Sequence, residues 1–115
     1  LSGFNLIKGK IVRLKINNYP LPSIGWLKTK QLKKSSMIKN INDNSSFYFN
    51  HSYCAEINDT KCIILKTKYE YDFVSMIEKK NMVGLQFHPE KSQSIGEEFF
   101  KNFYKELCLN YYNHD

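Results

Sequence analysis

One stretch constrains this chain more than any other: Val83-Gly84-Leu85-Gln86-Phe87-His88-Pro89-Glu90-Lys91-Ser92. A short apolar run that reads as a buried strand ends in a histidine and a carboxylate two positions apart, and a helical pattern opens just beyond. The proline between them lacks a backbone donor and has a fixed φ, so His88 and Glu90 leave the strand with little freedom. In open α/β sheets reactive side chains gather past the carboxyl ends of the strands, and this stretch is arranged that way. His88 is therefore a candidate general base and Glu90 its orienting carboxylate. The acid would fix the imidazole tautomer while the ring takes and returns a proton. Taken alone, the same His-x-Glu also fits a strand end with a solvated acid.

Around this corner the pattern is mostly strands. Residues 10–16 alternate polar and apolar, and the prolines and asparagines of 17–22 mark a turn. Residues 23–27 form a short apolar run holding Trp26, whose role reads equally as core or as interface. Residues 28–44 read as a surface connection with one weak helical turn, in which Lys33, Lys34 and Lys39 make a solvated face. The aromatic run 46–53 reads as one strand, with Phe47, Phe49 and His51 on one face and Tyr48, Asn50 and Ser52 on the other. Strands are expected again at 61–67, 72–77 and 82–87, with a hairpin connection at 78–81, giving an antiparallel meander that feeds His88. A capping box, Ser94 with Glu97, opens the last helix. Its stripe of Ile95, Phe99, Phe103 and Leu107, widened by Phe100 and Tyr104, is expected to face the sheet. Residues 111–115 read as a frayed tail.

A chain of 115 residues permits one domain. Its basic excess, 17 Lys and Arg against 11 Asp and Glu, would suit a nucleic acid, but Arg13 is the single arginine. Phosphate and base recognition lean on the guanidinium fork, so no nucleic-acid partner is expected. Cys54, Cys62 and Cys108 form no CxxC pair, which argues against zinc or a disulfide framework and fits a reducing compartment. No apolar run approaches the roughly 20 residues that span a bilayer, so no membrane association is expected and a cytoplasmic protein is. The chain opens on Leu1 as though something precedes it.

Three strings, Pro22-Ser23-Ile24-Gly25-Trp26, Phe47-Tyr48-Phe49-Asn50-His51-Ser52-Tyr53 and the run from Gly84 to Ser92, stand in an order and spacing that resemble the carboxyl-terminal half of class I (triad) glutamine amidotransferases. Within that family they look most like the glutaminases of histidine biosynthesis. The resemblance covers essentially the whole chain, and Gln86-Phe87-His88-Pro89-Glu90 is its most specific portion. It implies an α/β fold, with residues 1–115 as the carboxyl-terminal part of a single amidotransferase domain: an open mixed sheet with a terminal helix packed on it. It also implies a Cys-His-Glu triad that hydrolyses glutamine to glutamate and ammonia through a thioester, with His88 and Glu90 as its histidine and glutamate. The family's cysteine sits in a Gly-x-Cys-x-Gly elbow, a setting that none of Cys54, Cys62 and Cys108 has. The nucleophile is thus expected in an amino-terminal half, and these residues alone are expected to be inactive.

By the same resemblance His51, Ser52 and Tyr53 would lie along bound glutamine. Trp26 and Lys91 would face a (β/α)8-barrel synthase partner that receives the ammonia, and no cofactor or metal is implied. The family usually has histidine and asparagine where this chain has Ser23 and Leu27, two changes that would remove polar groups near the partner surface. Two other roles fit the same strings: a paralogous amidotransferase supplying ammonia to bacterial surface sugars, and a catalytically silent binding subunit.

Overall fold

Alternation of inward apolar and outward polar residues gives this chain its strands, and a single amphipathic segment closes it. The structure, a computed structural model, describes residues 9–14, 19, 23–79 and 82–113, with side chains described for 11–14, 19, 23–79 and 82–106. Among them lie β1 (Gly9–Arg13), β2 (Ser23–Gln31), β3 (Ser46–His51), β4 (Tyr53–Ile57), β5 (Ile63–Lys68), β6 (Asp72–Lys79), β7 (Met82–Leu85) and the helix α1 (Gln93–Asn113). Five strands form one sheet in the order β3-β2-β5-β6-β7, and β1 pairs with β4 in a second. Every pairing among the described residues is antiparallel. The expected meander is present as β5, β6 and β7, and it delivers the chain to His88. With α1 packed on the sheet, this is the expected α/β class of fold with a terminal helix.

Several local expectations need correction. The run 46–53 is not one strand. It breaks at Ser52, so that β3 belongs to the large sheet and β4, which the sequence pattern did not reveal, pairs with β1. β2 runs four residues further than its apolar string, because Lys28 and Lys30 point to solvent while Thr29 is buried and the strand finds partners on both sides. The rest of 28–44 is less superficial than its polarity suggests. Its helical turn is a 3-10 turn at Ser36–Ile38, and Met37, Ile38 and Ile41 enter the core, while Lys33, Lys34 and Lys39 are exposed as expected. Cys62 ends a 3-10 turn at Thr60–Cys62 and is not inside β5. The turn at 17–22 and residues 80–81 of the hairpin connection lie mostly or wholly outside the described residues.

The helix also differs. It begins at Gln93, so Ser94 is its second residue and not the cap before it. A φ of 53° at Gln93 separates the helix from the 3-10 turn Pro89–Lys91 that precedes it. The backbone stays helical through Asn113, where a frayed tail was expected. Only part of the aromatic stripe meets the sheet: Phe99 is buried and Ile95 packs on the core, whereas Phe100, Phe103 and Tyr104 are turned to solvent. The helix is rotated toward Asn102, which is buried and donates from Nδ2 to the carbonyls of Met37 (3.0 Å) and Lys39 (2.8 Å).

The core that matters for the site is aromatic. Phe87 lies 4.1 Å from Phe47 between ring centroids, with Phe49 at 6.1 Å and Phe99 at 5.7 Å. Each such buried ring contributes about 1.5–3 kcal/mol through removal from water. Phe87 is thereby anchored between sheet and helix, immediately before His88.

Candidate active site

β7 ends at Leu85, and Phe87 then plunges into the core, so His88 emerges at the sheet's end with its position set by the residue before it. Pro89 is the first residue of the 3-10 turn Pro89–Lys91, which brings Glu90 back over the ring. Nδ1 of His88 lies 2.9 Å from Oε2 of Glu90. The hydrogen bond from His88 is the main cause that holds the Glu90 carboxyl below its ordinary range. A carboxylate can only accept, so Nδ1 carries the proton and Nε2 is left with its lone pair. Both side chains remain partly exposed. The arrangement can accept a proton at Nε2 and stabilise the imidazolium that results.

Two small residues close the corner from behind. Ser92 is 1% exposed and bonds to both His88 and Tyr48. Gly96, on the first turn of α1, sits so close to the corner that a Cβ there would lie 1.9 Å from the carbonyl oxygen of Pro89. The capping pattern in the sequence drew attention to Ser94 and away from both of them.

His51, Ser52 and Tyr53 form the hinge between the two sheets. Nδ1 of His51 is 2.8 Å from the carbonyl oxygen of Tyr53, which can only accept, so this ring too carries its proton on Nδ1. Its Nε2 is buried and has no partner among the described residues. Burial, before any other cause, lowers the pKa of His51, and nearby His88 pushes the same way against the Tyr53 carbonyl. The ring packs on Phe73 at 4.8 Å and Phe49 at 5.7 Å. The Ser52 carbonyl accepts from Leu14 N at 2.9 Å, so the carbonyls of Ser52 and Tyr53 are both engaged within the chain. Tyr53 itself is exposed.

Trp26 and Lys91 are far apart in sequence but meet around Tyr48, a residue that sequence reasoning left unassigned. Tyr48 lies opposite Trp26 in the β2–β3 register, with ring centroids 6.0 Å apart. Nζ of Lys91 is 6.0 Å from the centre of the Tyr48 ring, at the outer reach of a cation–π contact. The same ring lies 6.5 Å from that of His88. Exposed Ile24 and Trp26 extend this patch along β2. Ser23 is 0% exposed and Leu27 packs on the core, so the two departures at these positions do not alter that exposed face.

Neither described thiol is prepared for nucleophilic work. Burial raises the pKa of Cys54, whose Sγ is 3.9 Å from the Tyr71 hydroxyl. Burial likewise raises Cys62, which donates to Asp59 at 3.3 Å. Catalytic cysteines have the opposite perturbation. Among the described residues no three His, Cys, Asp or Glu side chains are grouped to hold a metal ion.

An imidazole oriented by a carboxylate is an arrangement that acyl-transfer triads also contain. The family model for glutamine amidotransferase class-I matches residues 9–107, and the chain belongs to that family. It is 48% identical over 98 residues to imidazole glycerol phosphate synthase subunit HisH of Buchnera aphidicola subsp. Acyrthosiphon pisum, a match covering 85% of this chain and 49% of that protein. It is 40% identical over 107 residues to subunit HisH 2 of the same synthase from Methanococcus maripaludis, covering 92% and 53% of the two chains. The chain thus spans about half the length of the curated relatives it matches. A solved Thermoplasma acidophilum structure, provisionally named as part of a GMP synthase, superposes with a TM-score of 0.67 over 91% of this chain and 51% of that one. At 20% identity, that likeness shows a common fold.

Proposed function

We propose that this chain is the carboxyl-terminal part of the glutaminase subunit of imidazole glycerol phosphate synthase, which hydrolyses glutamine and passes ammonia to a (β/α)8 synthase partner in histidine biosynthesis. The observation that carries the chemistry is the 2.9 Å contact from Nδ1 of His88 to Glu90. In this reading a cysteine in the amino-terminal half supplies the thiol, and Nε2 of His88 takes its proton. The thiolate attacks the carboxamide carbon of glutamine. The proton then goes from Nε2 to the departing nitrogen, and ammonia leaves behind a thioester. Nε2 next takes a proton from water, whose oxygen opens the thioester to glutamate, and the thiol recovers its proton. Glu90 holds the ring in one tautomer throughout.

His51, Ser52 and Tyr53 line the glutamine in this scheme. Trp26, Tyr48 and Lys91 form the surface that meets the barrel, beside His88, where exclusion of water would keep ammonia unprotonated. Cys54 and Cys62, both free among the described residues, fit a reducing, cytoplasmic setting. The likeness to HisH subunits at 48% and 40% identity favours this reading over ammonia supply to surface sugars. The test is glutamine hydrolysis by the full-length protein with its barrel partner and nucleotide substrate. His88→Ala should lower kcat by at least about 10³-fold, the scale of a lost triad base. Undiminished turnover in that variant would remove His88 from the mechanism.

A further inference from the structure

We propose that Ser92 is a positioning residue for glutamine hydrolysis, its hydroxyl tying the main chain of His88 to β3 and so aiming the imidazole. This rests on the glutaminase reading above and adds a residue to it. The need arises because β7 stops three residues before His88, so no strand pairing of β7 reaches the catalytic corner. Both His88 and Glu90 are partly exposed, so side-chain packing alone does not fix the ring.

A small closed circuit does so instead. The hydroxyl of Ser92 donates to the His88 carbonyl at 2.6 Å and accepts from the Tyr48 N–H at 3.0 Å. The His88 N–H in turn donates to the Tyr48 carbonyl at 2.9 Å. Both main-chain groups of His88 are thus referred to one residue of β3, and β3 is held in register by β2 through Tyr48 and Trp26. One hydroxyl has a single proton and two lone pairs, and this geometry uses both functions at once. Alanine could do neither. The His88 carbonyl would keep its bond from Lys91 N at 3.1 Å and the His88 N–H its bond to the Tyr48 carbonyl, but the Tyr48 N–H would lose the hydroxyl, and the corner, tied to β3 by one main-chain bond alone, would be freer to swing about the 3-10 turn. The lowered pKa of Glu90, caused first by its bond from His88, offers a direct gauge of that swing.

The experiment uses the full-length protein with its barrel partner. In Ser92→Ala, kcat for glutamine should fall about 10- to 100-fold, the scale of an ångström-sized misplacement, while KM stays within about twofold. The Glu90 carboxylate, followed by NMR titration, should move up toward the ordinary range. Ser92→Cys, similar in size but a feeble donor, should behave likewise and is read in place of alanine if the latter does not fold. A kcat within about twofold of the parent in both variants, with Glu90 unmoved, overturns the proposal, as does loss of the fold in both, which would reassign Ser92 to general stability. An inactive parent complex, or an active His88→Ala, fails the glutaminase reading instead.

Discussion

Replacing Gly96 by alanine should destabilise this protein, although in an ordinary helix the same change stabilises it. Helix propensity alone favours alanine over glycine by about 1 kcal/mol. Here the new Cβ would lie 1.9 Å from the Pro89 carbonyl oxygen, 2.9 Å from its carbon and 3.3 Å from Cβ of Ser92. The first distance is roughly 1.5 Å short of ordinary van der Waals contact, and the obstacle is backbone, which cannot rotate away as a side chain end can. Overpacking of this kind costs about 1–3 kcal/mol or more, and a 1.9 Å approach to backbone belongs at the upper end, so after the propensity gain a net loss of about 2 kcal/mol is expected. The strain falls on the turn that joins His88 to Glu90, so it should reach the chemistry as well. A displacement near 1 Å there should lower kcat by up to about 10²-fold. Urea denaturation of the full-length variant measures the first effect, and glutamine turnover with the partner measures the second. A variant as stable as the parent or more so, with unchanged kcat, would show that the helix entry yields freely and that Gly96 does not set the corner.

Two further outcomes can be checked in the same protein. Asn102→Ala removes both hydrogen bonds to the Met37 and Lys39 carbonyls, one buried and one partly buried, and leaving these acceptors unsatisfied should cost on the order of 2 kcal/mol, read from the denaturation midpoint. For His51 the sign follows from its lowered pKa: the unfolded chain binds the proton more readily than the folded one. Its contribution should be intact above the ordinary histidine value of 6.5 and decline as pH falls from there toward the folded value. His51→Gln should therefore flatten the stability profile below about pH 6.5, and an unchanged slope would mean that another group titrates there.

The corner itself was legible in the sequence because it is local. A strand pattern, a proline and two reactive residues within three positions leave few conformations, and His88 meets Glu90 as their spacing suggests. The meander of β5, β6 and β7 was legible for the same reason, since its turns are short and its period is two. The capping box misled because Ser94 and Glu97 match a pattern that also occurs one residue inside a helix, and nothing local reveals the reversal of φ at Gln93. Likewise the alternation through 46–53 continues unbroken across Ser52, although the chain changes sheets there.

By itself, then, the sequence determined which residues can do chemistry and which short segments are strands, because side-chain type and period are properties of neighbours along the chain. Only the tertiary structure decided that Tyr48 joins Trp26, Lys91 and His88, and that Ser92 and Gly96 lie directly behind the His88 corner. It alone turned Phe100, Phe103 and Tyr104 outward while burying Asn102. Those outcomes depend on contacts between residues as many as 65 positions apart, where burial and hydrogen bonding compete and no local preference can settle the contest.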